Sequence, residues 1–408
     1  MTIKNVTSVP ESVKEMFTQN ADALKELLRN ALEEVLEQQM DVVAGAGRYE
    51  RTESRRVYRS GHYTRSLRTR VGLIELRVPQ DRDGQFSTEV FARYQRSEKA
   101  LVGALMEMYI QGVSTRKVSR ITEELCGVSY SASTVSELAA RLDGALAKFA
   151  GRRLEAEYPY ILLDARYEKV RVDGCVQSQA VLVALGIGWD GRREVLGVEL
   201  ASRESTGFWK DFLAGLKRRG LHGVEFVVSD DHCGIRRAVD EMFPDATWQR
   251  CYVHFLRNAL ARLPRKADPD CLTELRWIYD RRDIGEARND LRAWLAKWQG
   301  RYPQLCDWVE ENIGETLSFY RLPAGHHKHM KSTNMLERLN QEIKRRTQIV
   351  RVFPSPASCL RLVRALAMEI HEEWLEATRY LNMEELKEHR QMRPGTPARE
   401  TPAAPDVA

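Results

Sequence analysis

Leu24, Leu27, Leu28, Ala31, Leu32, Val35 and Leu36 recur at helical spacing, with Glu26, Glu33, Glu34 and Glu37 between them. This predicts one long amphipathic helix over 11–41, stopped by Gly45 and Gly47. Its apolar stripe either packs within the chain or pairs with a second copy. From 49 to 91 the pattern shifts to short, Arg-rich alternating segments such as Leu73-Ile74-Glu75-Leu76-Arg77-Val78, followed by a turn at Asp81-Arg82-Asp83-Gly84. A small β-containing region is expected there. Residues 97–110, 113–125 and 131–149 return to helical spacing, punctuated by Gly112 and Gly127. Three short helices in that rhythm are helix-turn-helix-like.

Beyond Tyr158 the pattern becomes α/β. Strands are predicted at 160–172, 179–189 and 194–200, the latter two joined by Asp190-Gly191. A helix at 206–219, a strand at 224–229, a helix at 232–242 and a strand at 248–253 follow. Three antiparallel strands and then helix-linked parallel ones make a ribonuclease H-like α/β core. The chain then reads as helical to about 317, with Trp277, Trp294, Trp298 and Trp308 at apolar positions, as an all-α insertion. A basic, His-rich loop over 321–332, helices at 332–347 and 357–380, and a Pro-rich tail from 390 expected to be disordered complete the pattern. The expected domains are an N-terminal helix (1–48), a mostly helical DNA-binding region (49–150), a catalytic domain (155–254 with 328–385) interrupted by the insertion (255–327), and the tail (390–408).

Composition narrows the class. With 43% apolar and 30% charged residues in 408, the chain is neither a fibre nor wholly disordered. Seven scattered Cys without a CxxC pair suit a reducing, cytoplasmic setting. The opening segment lacks the basic and apolar regions of a signal peptide, and the longest apolar run, 180–189, is too short to span a bilayer. Neither secretion nor a membrane partner is expected.

Net charge is only +5, but its distribution is uneven. Residues 51–120 hold 15 Lys or Arg against 7 Asp or Glu, and residues 321–351 hold 8 against 2. Two basic blocks in a nearly balanced chain suggest two places where phosphates are neutralised, although solvated faces that bind nothing would look the same. In the first block Arg116, Lys117 and Arg120 lie on the second short helix, and Ser133 and Thr134 open the third, whose free backbone N–H groups suit a phosphate. In the second, Lys344, Arg345 and Arg346 and the loop from Lys328 to Lys331 would grip a DNA backbone without reading its sequence.

The candidate chemistry is carboxylate chemistry. Ile161-Leu162-Leu163 runs directly into Asp164, and the strand at 224–229 ends at Asp230. In the derived strand order these two strands are neighbours, so both acids reach one sheet edge. Glu337, one turn into the 332–347 helix and off its Leu336, Leu339 and Ile343 stripe, is the third. Taken singly, each has an ordinary explanation as a turn former or a solvated helix acid. Glu168, Asp173, Asp231 and Glu342 are rivals, Asp231 the most serious because it adjoins Asp230. Three such carboxylates would repel unless a cation sat among them. Hard oxygen donors favour Mg²⁺ or Mn²⁺, and two ions about 4 Å apart serve in-line phosphoryl displacement. Cys251 and His254, at C-x2-H spacing, lack two further zinc ligands. His254 either donates a hydrogen bond or positions water near a scissile phosphate, or it is a satisfied histidine beside a packed Cys.

Several stretches resemble the Mutator-like DDE transposases of bacterial insertion sequences. They are Tyr160-Ile161-Leu162-Leu163-Asp164-Ala165, Val227-Val228-Ser229-Asp230, Trp248 through Phe255 and Ser332 through Asn340, with Arg59-Ser60-Gly61-His62-Tyr63, Val78 through Gly84 and Gly112 through Arg116 further upstream. The resemblance spans roughly 50–380. It implies a ribonuclease H-like core with an all-helical insertion, an Asp-Asp-Glu triad at Asp164, Asp230 and Glu337, and the family's C-x2-H motif at Cys251 and His254. Asp231 departs from the small residue usual after the second acid. The implied partners are the terminal inverted repeats and target DNA, and at least one further copy of the chain, in a bacterial, nucleoid-associated setting. The alternatives are a non-catalytic DNA-binding regulator derived from such an enzyme and a metal-dependent endonuclease that cuts without joining.

Overall fold

A computed structural model of the chain describes residues 21–392, apart from 51, 53, 54, 70, 85, 89, 91–96, 112, 114 and 128. Residues 11–20 of the expected first helix and the tail from 393 lie outside the described residues. The chain divides into two compact units, one up to Arg141 and one from Leu142.

In the first unit, helix α1 (Ala21–Ala44) buries Leu36 and Met40 and stops where Gly45 takes a positive φ of 66°. Strands β1 (Arg59–Thr69) and β2 (Gly72–Asp81) form an antiparallel hairpin with Arg65 opposite Leu76. Ile74, Leu76 and Val78 alternate along β2 and turn inward with Leu67 onto Leu36 of α1. Helices α2 (Lys99–Ile110), α3 (Thr115–Cys126) and α4 (Ala132–Ala140) close around Leu101, Leu105, Val118, Val135 and Leu138. Ser131 caps α4 by accepting from Thr134 N at 3.1 Å.

The single helix expected over 131–149 is two. Its second part, α5 (Asp143–Gly151), belongs to the second unit, where Leu146 is buried and Asp143 takes both guanidinium arms of Arg361, at 2.6 and 2.8 Å.

The second unit is mixed α/β. Strands β3 (Tyr160–Val172), β4 (Cys175–Ile187) and β5 (Arg193–Ala201) are antiparallel neighbours. The β3–β4 turn is Asp173-Gly174, both at positive φ, the pairing a two-residue hairpin asks for. Helix α6 (Thr206–Arg218) leads to β6 (Phe226–Ser229), and α7 (Cys233–Met242) leads to β7 (Thr247–Arg250). The sheet order is β5-β4-β3-β6-β7, with β6 parallel to both β3 and β7. Trp209, Phe212, Leu213, Ile235 and Val239 from α6 and α7 pack on Ile161, Leu163, Leu182, Leu196 and Val227 of the sheet. Burying these apolar faces is the main term holding the layers together.

Helices α8 (Tyr252–Ala261), α9 (Pro269–Trp277), α10 (Ile284–Trp298) and α11 (Pro303–Asn312) fill the stretch expected to be helical. Trp294 and Trp298 are buried in it, whereas Trp277 is 52% exposed, against its expected apolar position. The loop expected over 321–332 contains a helix, α12 (Ala324–Met330), because His326 and Met330, one turn apart, are both buried. His326 meets the Tyr160 hydroxyl at 2.8 Å and Asn382 O at 2.9 Å. Helices α13 (Asn334–Val350), α14 (Pro356–Glu376) and α15 (Glu384–Gln391) follow, with α13 and α14 both packed against β3. Among the described residues no helix is long and apolar enough to cross a membrane.

Candidate active site

Leu162 pairs with Val228 in the parallel β3–β6 register, and Asp164 and Asp230 each lie two residues further on. Equal offsets from a parallel pair put both acids at the same edge, where open sheets gather ligands. Ile161, Leu162 and Leu163 are fully buried and carry the chain straight into Asp164, itself only 8% exposed. Asp164 Oδ1 accepts from Ala165 N at 2.9 Å and Oδ2 from Asn340 Nδ2 at 2.8 Å. Burial pushes the Asp164 carboxyl up to about 6; the His254 cation works against that and the Asp230 charge adds to it.

Asp230 Oδ1 accepts from His232 N at 3.2 Å, which folds the turn into α7. Its neighbour Asp231 points elsewhere, with Oδ2 2.9 Å from Nη1 of the buried Arg250. The other rivals are also engaged. Glu168 is held by Arg166 and Thr347, Asp173 sits in the β3–β4 turn, and Glu342 pairs with Arg345 at 3.0 Å.

Glu337 occupies the first turn of α13, partly exposed, with the buried Leu336, Leu339 and Ile343 on the helix face that meets the core. Asn340, which holds Asp164, follows Glu337 by three residues and therefore shares its face. Among the described residues the Glu337 carboxylate makes no hydrogen bond or ion pair, and no three His, Cys, Asp or Glu side chains stand close enough together to hold one metal ion. Asp164 and Asp230 are thus brought side by side, with Glu337 one turn from the Asp164 contact.

Cys251 and His254 do not end a strand, as expected. β7 stops at Arg250 and Cys251 caps α8, so His254 lies in the helix's first turn. The Cys251 thiol beside it, with Asp164 and Asp230 further off, pushes the His254 imidazole up to about 9. Burial alone would raise the Cys251 thiol; His254 and Thr333, whose N and Oγ1 both lie 3.4 Å from Sγ, reverse that and lower it. His254 Nδ1 is buried without a hydrogen-bond partner among the described residues.

Two participants carry little sequence signal. Asn340 could have been found only from its i+3 spacing to Glu337. Glu204, between β5 and α6, reads as an ordinary loop acid, yet its side chain is only 6% exposed. Its Oε1 accepts from Trp209 Nε1 at 3.1 Å and lies 3.4 Å from His232 Nδ1, and burial and then Asp230 raise its carboxyl.

The expected DNA-contacting residues fall into three groups. Lys117, Arg120 and Ser133 are exposed and Thr134 partly so, Arg120 lying 3.8 Å from Glu124, while the Arg116 side chain lies outside the described residues. Lys344 and Arg345 face solvent on α13. Arg346 does not: it is 6% exposed and reaches Glu369 at 3.2 Å, because its place on the helix turns it toward α14.

Comparison with known proteins gives the family. The family described as "Transposase, Mutator family" matches residues 1–377. The transposase for insertion sequence element ISRM5 of Rhizobium meliloti (strain 1021) is 63% identical over 93% of this chain and 96% of its own length. The transposase for IS256 in transposon Tn4001 of Staphylococcus aureus is 42% identical over 89% and 94%, and that for IS1081 of Mycobacterium tuberculosis (strain ATCC 25618 / H37Rv) is 34% identical over 95% and 94%. Among solved structures, the Mos1 strand transfer complex aligns at 14% identity over 56% of this chain and 80% of that one, with a TM-score of 0.16, too low to carry an argument about fold. With a family match across nine-tenths of its length and relatives this similar end to end, the chain belongs to the Mutator family of transposases.

Proposed function

We propose that this chain is the DNA transposase of an insertion sequence: it binds the element's terminal inverted repeats and, at a ribonuclease H-like core, cuts DNA strands and joins them to a target. The observation that carries the catalytic part is the pairing of Asp164 and Asp230 at one parallel sheet edge, with Asn340 of α13 fastened to Asp164.

The donor chemistry of Asp164 and Asp230 suits Mg²⁺ or Mn²⁺, and Glu337 would have to draw nearer to complete the set. Burial and the Asp230 charge raise the Asp164 carboxyl against the His254 cation, so a divalent cation would supply further countercharge to these hard oxygen donors. Asp164, Asp230 and Glu337 would hold it, one or two ions together, and when bound these activate the attacking oxygen and stabilise the leaving one. Asn340 fixes the rotamer of Asp164 and registers α13 on β3. His254, protonated at neutral pH, offsets part of the aspartate charge and offers an N–H to a non-bridging phosphate oxygen. A water oxygen forms a bond to phosphorus as the P–O3′ bond breaks, leaving a 3′-hydroxyl and a 5′-phosphate. That hydroxyl then bonds to a target phosphorus and the target's O3′ leaves, so bond energy is exchanged and no ATP is consumed. Pairing two element ends calls for at least two copies.

The test is to incubate pre-cleaved end DNA with a plasmid and Mg²⁺. Joined product supports a transposase, nicks alone a nuclease, and end binding with neither a DNA-binding regulator. Chelation by EDTA should stop both activities.

A further inference from the structure

A cavity of about 720 Å³ lies among α8, the α9–α10 turn, α12, the start of α13 and Tyr380. Cations and the partly exposed Tyr380 face it, with Tyr252 and Tyr279 buried behind them. Tyr252 and Tyr279 pack with ring centroids 4.8 Å apart, and the Tyr380 ring meets His329 edge-on at 4.4 Å. The one lining acid, Asp280, is already taken by Lys331 Nζ at 2.7 Å, and that ammonium lies 5.2 Å from the Tyr252 ring centre. Arg281 and Arg282 are paired with Asp290 and Glu286. Arg276 and Lys328 also line the cavity, and neither has an acidic partner among the described residues. The cavity is therefore net cationic, faced by one aromatic ring and within the size range of small-ligand sites.

We infer that this cavity binds an unpaired nucleotide of a DNA strand, its phosphate on the exposed Arg276 and Lys328 and its base against the partly exposed Tyr380. Faces of π-systems beside uncompensated cations are what single-stranded nucleic acid uses, whatever its sequence. A bare phosphate would use the cations and leave Tyr380 unused. Placement fits as well. Tyr252 and His254 both lie in the first turn of α8, and Asn334 and Glu337 both lie in the first turn of α13, so the cavity and the carboxylate site draw on the same two helix starts. Burial lowers His327 and His329, and His327 Nε2 already meets Leu322 O at 2.9 Å. The inference rests on the transposase reading and gives that reading a separate strand-holding site.

The test uses the full-length protein with a fluorescent oligothymidylate and the same oligomer carrying 5-iododeoxyuridine for photocrosslinking. Crosslinked peptides from wild-type protein should map to Tyr380. Combined Arg276→Glu and Lys328→Glu, both at exposed positions, should weaken oligothymidylate binding at least about tenfold. Tyr380→Phe should bind as wild type and Tyr380→Ala more weakly. Wild-type protein that shifts its own end duplex but crosslinks elsewhere, does not bind oligothymidylate, or is unaffected by the charge reversals overturns the inference and leaves the transposase reading standing. Wild-type protein that binds neither DNA overturns both.

Discussion

Asn340 donates to Asp164 at 2.8 Å from 176 residues further along the chain, and with Arg166 on Asn340 O and Thr347 on Glu168, both at 3.1 Å, it ties the helix bearing Glu337 to the strand bearing the first aspartate. Asn340→Ala leaves a buried carboxylate oxygen without its donor, worth about 1–3 kcal/mol. We expect a lowered melting temperature and at least about tenfold slower nicking of element-end DNA, since sub-ångström placement governs in-line chemistry. Nicking at the wild-type rate would show that Asn340 does not position the site.

Asp230 and Asp231 adjoin in sequence and differ in role. Asp230→Asn should reduce cleavage by about 10²–10³ or more, the scale of losing one charge-stabilising group, while end binding persists. Asp231→Asn should keep cleavage but cost about 1–2 kcal/mol by weakening the charge opposite the buried Arg250. That is less than a fully buried pair because Asp231 is 32% exposed. Parallel nicking assays and denaturant melts separate the two; a reversed pattern assigns the second acid to Asp231.

That Asp164 and Asp230 reach one sheet edge was legible in sequence, because each acid follows an uninterrupted apolar run and the strand order made the two strands neighbours. β3 was readable to its ends for the same reason. What escaped depends on tertiary contact. The break between α4 and α5 falls at Arg141 and Leu142, both in helical conformation, so no Gly or Pro marks it. α12 hides in basic, His-rich composition because one of its two buried residues is a histidine satisfied by distant partners. Trp248 through Val253 has strand-like composition, yet the ladder ends at Arg250, where Cys251 turns the chain into α8. Glu204 and Asn340 are ordinary until the fold buries one and aims the other.

The raised Asp164 carboxyl has a definite sign in a stability curve. Its value moves from 3.8 to about 6 on folding, so the folded state holds its proton longer than the unfolded state does. Metal-free protein should lose stability from this group between about pH 4 and pH 6 and stay without it above, by about 3 kcal/mol. Wild type minus Asp164→Asn in denaturant melts across that window isolates the effect. Mg²⁺ should restore stability to wild type at pH 7 and little at pH 4, where the carboxyl is protonated. A Mg²⁺ gain undiminished in Asp164→Asn would remove this carboxylate from the cation site.

His254 titrates in the opposite sense. Its folded value, about 9, lies above the ordinary 6.5, so its contribution to stability is fully present below about 6.5 and is lost as pH rises through 9. The Cys251 thiol is the first cause, so Cys251→Ala should bring the imidazole back toward its ordinary range and the alkaline limb of the nicking profile down with it. Imidazole chemical shifts in isotope-labelled protein report this directly. An unchanged titration in Cys251→Ala would hand the shift to the aspartates.

The basic face of α13 makes the last prediction, because two of its three consecutive cations point outward and one inward. Lys344 and Arg345 are exposed, whereas Arg346 is spent on Glu369 at 3.2 Å. Each phosphate contact releases counterions and contributes about 0.9 to the slope of log affinity against log salt. Lys344→Ala and Arg345→Ala should each lower that slope by up to this amount for end DNA. Arg346→Met should leave the slope unchanged and lower the melting temperature, because it removes the buried guanidinium that Glu369 pairs with. Equal losses of slope for all three variants would mean that Arg346 swings outward when DNA binds and gives up Glu369 to do so.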